Sequence, residues 1–323
     1  MQNIIFGNKK CQDICVSVAK SLNSKLYLVE NSGFPGNEVF FDINSNNFGD
    51  NNFAISTHKD LRNYNIICIY TVLDANNDFM ELLFLIDILA KLNPLKITLL
   101  IPYLAYSRQD NNHNMSSSGI KLIAKILNHV LNNIENQIYI LDTHNTNILK
   151  MFHNAQNLCI INFLHQYILA HYNTEELILV SPDSGSQNKI KTLAELLSCR
   201  ALYLNKTRKL NDIQMAFDGS QNNNINKLCG DKKRKTKFLI LDDIISSGST
   251  IYHASKLIRN QILNADIDCY ATHFLYFAVQ SNNFININRV ITTNSTGSHN
   301  SIHLQNIFKT HFSILDISSL FLI

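Results

Sequence analysis

The chain reads as an α/β protein, and three features of its 323 residues point there. Aliphatic runs of strand length alternate with stretches of helical apolar spacing from the first residues onward. The same alternation starts afresh at Glu176, in a chain long enough for two domains of ordinary size. Finally, Phe238-Leu-Ile-Leu241 is apolar at every position, as expected of a strand buried on both faces of a sheet.

In order, Ile4-Ile5-Phe6 is predicted as a strand, a helix follows through Ile14, Val18, Ala19 and Leu22, and Leu26 to Val29 forms a second strand. Gly33 to Ile43 reads as a turn feeding an alternating strand. Asn65 to Tyr70 is a strand, Glu81 to Leu92 a helix closed by Asn93-Pro94, and Ile97 to Ile101 another buried strand. Ile120 to Leu131 is helical and Gln137 to Leu141 extended. In the second half, the strand from Glu176 to Val180 leads to a helix from Gln187 to Leu197, and Ala201 to Leu204 is again a strand. The strand at Phe238 ends in Asp242-Asp243, and Ile251, Ala254, Leu257 and Ile258 mark the next helix. Strands follow at Asp268 to Phe274 and from Val290, and Phe312 to Ile323 closes the chain as a strand and a short helix.

Composition narrows the function. Hydrophobic residues are 46% and charged residues 16%, a globular balance. A formal net charge of +3 gives no argument for a nucleic-acid partner, and the basic run Asp231 to Lys237 reads as a solvated loop. The longest apolar run, from Met80 to Leu92, is interrupted by Glu81 and Asp87 and too short to span a bilayer. The amino terminus carries no signal-peptide pattern, so a cytoplasmic protein with its 7 cysteines reduced is expected. The Walker, Rossmann and HExxH patterns are all missing from the sequence.

The chemistry concentrates at Asp242-Asp243-Ile244-Ile245-Ser246-Ser247-Gly248-Ser249-Thr250. A buried strand delivers two carboxylates to its carboxyl end, and a short hydroxyl-rich loop then opens a helix. Backbone N–H groups and the positive helix end can hold a phosphate there, while the acids suit sugar hydroxyls or a metal beside it. This stretch resembles the phosphoribosyl pyrophosphate (PRPP) loop shared by phosphoribosyltransferases and PRPP synthetases, with Ser249 standing where the family usually has glycine.

Five further stretches resemble PRPP synthetases, in the family's order. Phe34, Pro35 and Glu38 fit an adenine-contacting loop. Pro102 to Asp110 follows a Pro-Tyr-x-x-Tyr-(Ala/Ser)-Arg-Gln-Asp signature, in which Arg108 offers a planar fork for phosphate oxygens and Gln109 can pair with a base edge. Asp142-Thr-His144 and Ser181-Pro-Asp183-Ser-Gly185-Ser186 match two strand-end motifs linked to the metal. Lys206-Thr-Arg208 opens the family's mobile catalytic loop, and alternation along an extended segment sets both cations on one side. Downstream of Arg108 the family's usual Lys and Arg are replaced by Asn111, Asn112, His113, Asn114 and Ser116 to Ser118.

The resemblance to ribose-phosphate diphosphokinase, that is PRPP synthetase, implies two similar phosphoribosyltransferase-like domains, each a mainly parallel sheet flanked by helices. They are expected at residues 1–155, with ATP-site residues, and 156–305, with the ribose-5-phosphate loop, while 306–323 packs back on the first domain. It implies transfer of the diphosphoryl group of Mg-ATP to the anomeric hydroxyl of ribose 5-phosphate, giving PRPP and AMP. Catalysis falls to Lys206 and Arg208; ATP binding to Phe34, Glu38, Arg108, Gln109 and Asp110; sugar-phosphate binding to Asp242, Asp243, Ser246, Ser247, Gly248, Ser249 and Thr250; and Mg²⁺ to His144 and Asp183. A homodimer, or a hexamer built from dimers, is implied as well. Two other readings fit the same residues: a catalytically silent regulatory relative, and a phosphoribosyltransferase.

Overall fold

The computed structural model describes residues 2–29, 38–39, 61–109, 118–143, 145–209, 212–218, 236–262, 265–297 and 311–323. The chain forms two compact units: Met1–Leu158 with Asn294–Ser298 and Asp316–Ile323, and Cys159–Thr293 with His299–Leu315.

The first unit contains β1 (Gln2–Asn8), α1 (Gln12–Ser21), β2 (Lys25–Val29), β3 (Tyr64–Ile69), α2 (Asn77–Lys91), β4 (Lys96–Ile101), α3 (Gly119–Val130), β5 (Asn136–Leu141) and β6 (Ala155–Leu158). Its six strands run in the order β2-β1-β3-β4-β5-β6, every pair parallel. Ile66, Cys68, Ile69, Leu99 and Ile101 are buried, while Ile14 and Val18 of α1, Leu82 and Leu89 of α2, and Ile123 and Leu127 of α3 supply the apolar stripes that cover the sheet. Strand order reverses between β1 and β3, and the gap at their carboxyl ends is closed from within. Asn8 Nδ2 donates to Thr71 O at 2.9 Å, and Thr71 Oγ1 donates to Ser295 O at 2.9 Å. Gly297, at φ +96°, lies so close that an added Cβ would stand 2.8 Å from Lys10 O.

The second unit contains α4 (Ile161–His171), β7 (Leu177–Ser181), α5 (Gln187–Leu197), β8 (Arg200–Lys209), β9 (Asp212–Phe217), β10 (Lys237–Ile245), α6 (Ser249–Gln261), β11 (Asp266–Phe274), β12 (Arg289–Thr293) and β13 (His311–Leu315). The strand order is β13-β12-β11-β10-β7-β8-β9, and only the β8–β9 pair is antiparallel. Phe238 and Ile240 join Ile251, Ala254 and Ile258 of α6 on one face of the sheet. Leu239 and Leu241 join Leu164 and Ile168 of α4 and Ile190 and Leu193 of α5 on the other. The unbroken apolar run of β10 thus follows from two helix layers rather than one.

Several elements depart from the sequence reading. β10 does not stop at the two acids but continues to Ile245, because its outer half still pairs with β11 through Ile244 and His273 and through Ile245 and Phe274. β8 continues past Leu204 into a hairpin with β9, where a loop was expected to begin. The terminal segment 306–323 divides: β13 is an edge strand of the second sheet, and only Asp316–Ile323 belongs to the first unit, where residues 318–321 pack on α1 as a 3₁₀ turn instead of a helix. Among the described residues no helix is long and apolar enough to cross a membrane. Cys11, Cys15, Cys68 and Cys269 are buried free thiols.

Ile240 is fully buried at the centre of the second sheet. Ile240→Ala is expected to cost about 2–5 kcal/mol of stability, read as a lowered urea midpoint at unchanged slope.

Candidate active site

The second sheet builds a polar cluster where physics favours one. From β7 the chain steps to β8 on one side, while β10 lies on the other, so the carboxyl ends of β7 and β10 flank a switch point in strand order. In register, Ile240 pairs with Val180, which sets Asp242 and Asp243 just beyond the last paired residues of β7 and level with the turn holding Asp183.

Asp183 is fixed by its own turn. Its Oδ1 accepts from Gly185 N at 3.0 Å and Ser186 N at 3.3 Å, and Ser181 Oγ donates to its carbonyl at 2.8 Å. Asp242 Oδ1 accepts from Asp243 N at 2.9 Å, and Asp243 Oδ1 from Ile244 N at 2.8 Å. Burial pushes the Asp242 carboxyl well above the usual carboxylate range; the neighbouring Asp243 and then Asp183 add to it. The site therefore has a strong electrostatic appetite for positive charge.

The loop beyond β10 supplies the complementary part. Gly248 caps α6 at φ +85° and ψ +1°, the left-handed region, and an added Cβ would meet the Phe284 ring at 2.4 Å. Ser247 Oγ accepts from Ser249 N at 3.3 Å. Ser249 is the first residue of a regular helix with negative φ, so the glycine usual at that place is not needed for the backbone path. From β8, Lys206 Nζ donates to Thr250 Oγ1 at 2.7 Å, setting an ammonium at the positive end of α6. Two acids, an N-terminal helix turn and a lysine in one place can hold a phosphorylated polyol, with hydroxyls toward the acids and phosphate toward the loop. Arg208 lies in the same strand, paired with Ile213 across the hairpin.

In the first unit, β4 opens into the segment carrying Arg108 and Gln109, both exposed. Tyr106 holds the turn at φ +67°, an unfavourable angle for an aromatic residue. It is secured by Gln109 N donating to Tyr106 O at 2.8 Å and by the Tyr106 hydroxyl donating to Asn76 Oδ1. Gly119 at the start of α3 comes so near that a Cβ would stand 2.6 Å from both Tyr106 Cδ1 and Gln109 Oε1. The sequence reading missed Asn76 and Gly119. A glycine directly before a helical pattern was the one signal available for the second. Glu38 is exposed, and Phe34, Asp110 and His144 lie outside the described residues.

The structure thus brings Asp183, Asp242, Asp243, Ser247, Gly248, Thr250 and Lys206 together within the second unit. Arg108 and Gln109 adjoin each other in the first unit. Among the described residues, no three His, Cys, Asp or Glu side chains are grouped to hold a metal alone.

This architecture defines a chain of two α/β units, each built on a mainly parallel sheet, the second with a hydroxyl-rich loop at a strand-order switch point. Residues 3–130 match the family model for the N-terminal domain of ribose phosphate pyrophosphokinase. The chain is 27% identical to the ribose-phosphate pyrophosphokinase of Methanobrevibacter smithii, over 92% of this chain and 95% of that one. It is also 27% identical to the ribose-phosphate pyrophosphokinase of Aquifex aeolicus, over 87% of each. The crystal structure of phosphoribosylpyrophosphate synthetase from Mycobacterium smegmatis has the same fold, with a TM-score of 0.77 over 100% of this chain and 97% of that one, at 22% identity. Along most of its length the chain is thus similar to ribose-phosphate pyrophosphokinases, and residues 3–130 match their N-terminal domain.

Two outcomes follow from the geometry. Gly248→Ala is expected to cost roughly 1–3 kcal/mol from the backbone angle alone, measured by urea denaturation. Because the folded state holds the Asp242 proton more tightly than the unfolded chain does, ionisation of this group works against the fold as pH rises through its folded pKa. Asp242→Asn is therefore expected to melt a few degrees above the parent at pH 8, and the gap should close toward pH 4 as the parent carboxyl takes up its proton.

Proposed function

We propose that the chain is a ribose-phosphate diphosphokinase, moving the β,γ-diphosphoryl group of ATP to the anomeric hydroxyl of ribose 5-phosphate. The observation that carries the reading is the meeting of Lys206 with Thr250 at the start of α6, beside the paired acids. An anion loop alone would serve any phosphate binder; a lysine delivered to it from a separate hairpin is what transfer chemistry requires.

In this reading Ser246, Ser247, Gly248, Ser249 and Thr250 hold the 5-phosphate through backbone N–H groups and hydroxyls. Asp242 and Asp243 accept from the ribose hydroxyls and so aim the anomeric oxygen. That oxygen attacks the β-phosphorus of ATP; a new O–P bond forms, the bond from the β-phosphorus to the α,β-bridging oxygen breaks, AMP leaves with the bridging oxygen, and the hydroxyl proton is released to water. Lys206 and Arg208 stabilise the charge gathering on the transferred oxygens. Phe34, Glu38, Arg108, Gln109 and Asp110 seat the nucleotide, with the guanidinium on phosphate oxygens and the amide on the base edge.

The donor set fits a hard divalent cation. Asp183 and the Asp242–Asp243 pair offer carboxylate oxygens whose mutual repulsion a cation relieves. With no three-residue cage among the described residues, such an ion shares its coordination with phosphate oxygens and water, the ordinary habit of Mg²⁺. Asp183 and His144 are the residues proposed to hold Mg²⁺, which when bound neutralises the polyphosphate. We further propose that the protein works in the cytoplasm as a homo-oligomer, a dimer or a hexamer built from dimers; the apolar Phe84 on α2 and Leu122 on α3, exposed in the single chain, support self-association.

The loss of cations across residues 111–118 favours a second reading, a catalytically silent relative that binds ribose 5-phosphate without transferring to it. AMP release from Mg-ATP, with and without ribose 5-phosphate, separates the two. Sugar-dependent AMP is expected from the parent chain, with a loss of about a hundredfold or more in Lys206→Ala. Binding of ribose 5-phosphate with no AMP formed would leave the silent relative as the better account.

A further inference from the structure

The sugar-phosphate loop is held from behind by the connection between β11 and β12. Ser247 O accepts two hydrogen bonds from that connection: from Gln280 N at 3.1 Å and from Asn283 Nδ2 at 2.9 Å. The ring of Phe284, 1% exposed, fills the space where a Gly248 side chain would stand. The same connection is tied to the body of α6, since Arg259 Nη2 donates to Asn286 O at 3.0 Å. Leu275 N donates to Ile245 O at 2.8 Å, closing the connection onto the end of β10.

These contacts have a directional effect. All peptide bonds here are trans, so in the unit joining Ser247 to Gly248 the carbonyl oxygen and the N–H point to opposite sides. Two donors drawing Ser247 O toward the β11–β12 connection turn the Gly248 N–H outward, toward the mouth of the loop. The φ of +85° at Gly248 leaves this peptide plane without the usual steric constraint of a Cβ, so the plane can rotate unless something fixes it.

We propose that Asn283 is a positioning residue for sugar-phosphate binding: with Gln280 N it clamps Ser247 O and so orients the Gly248 N–H for the phosphate, while Phe284 bars the loop from folding back. Asn283 itself touches no substrate in this arrangement. The inference rests on the reading of Ser246 to Thr250 as the ribose-5-phosphate loop, and goes beyond it in assigning a role outside the loop.

The isosteric change Asn283→Asp replaces the donor with an acceptor and repels Ser247 O, whereas Asn283→Gln keeps a donor on a longer arm. Calorimetric binding of ribose 5-phosphate to the full chain is the direct readout, with KM for ribose 5-phosphate, KM for ATP and melting temperature alongside. For Asn283→Asp we expect about tenfold weaker ribose 5-phosphate binding and a matching rise in its KM. KM for ATP and the melting temperature should stay near the parent values, and Asn283→Gln should recover part of the loss. Parent-like binding in Asn283→Asp overturns the clamp. So does a defect that falls equally on ATP and on melting temperature, since that marks general loosening of the unit. If the parent chain binds no ribose 5-phosphate, it is the assignment of the loop that fails, an outcome separate from failure of the clamp.

Discussion

The site in the second unit depends on one constraint, the burial of β10 between two helix layers. Phe238 and Ile240 face α6 while Leu239 and Leu241 face α4 and α5. A strand gripped on both faces cannot slip by one residue without sending every side chain to the wrong side. Asp242 and Asp243 are therefore delivered to one depth at the sheet edge, and α6 begins within reach of them. The repulsion among Asp183, Asp242 and Asp243 is an opposing cost that this packing sustains.

Backbone strain in the molecule sorts by sheet edge. Asn23, Asn93 and Ser198 adopt positive φ where helices end, an ordinary way to finish α1, α2 and α5. Tyr106 and Asp142 do so at the opposite edge, after β4 and β5, joined by Gly248 after β10. At that second edge the angles terminate no helix; they bend loops at the carboxyl ends of strands, where ligands of parallel sheets bind.

Much of this could be read in the sequence, because it was local. α5 was placed residue for residue, since a stripe at Ile190, Leu193, Ala194 and Leu197 follows a small-residue turn. The four-residue apolar run of β10 and its following loop were equally plain. The unforeseen features are set by partners distant in sequence. Two consecutive acids look like the end of a strand, and only pairing with β11 carries β10 past them. The extension of β8 and the existence of β9 arise from each other, as Lys206 pairs with Met215 and Arg208 with Ile213 in the backbone register, and neither segment alone has a decisive apolar period. Likewise nothing near Asn283 marks it as a partner of Ser247, 36 positions away. The reach of Lys206 to Thr250, 44 positions away, was equally unforeseen.

The reversal of strand order in the first sheet has its own consequence. The gap between β1 and β3 is closed by Ser295 and Gly297, while residues 318–321 cover α1. The first six strands to leave the ribosome are therefore joined to a unit whose last pieces arrive some 150 residues later, a long loop to close during folding. Until then Thr71 lacks its Ser295 acceptor and α1 lacks part of its apolar cover. The first unit therefore closes only after residues 159–293 of the second have been inserted between its own segments.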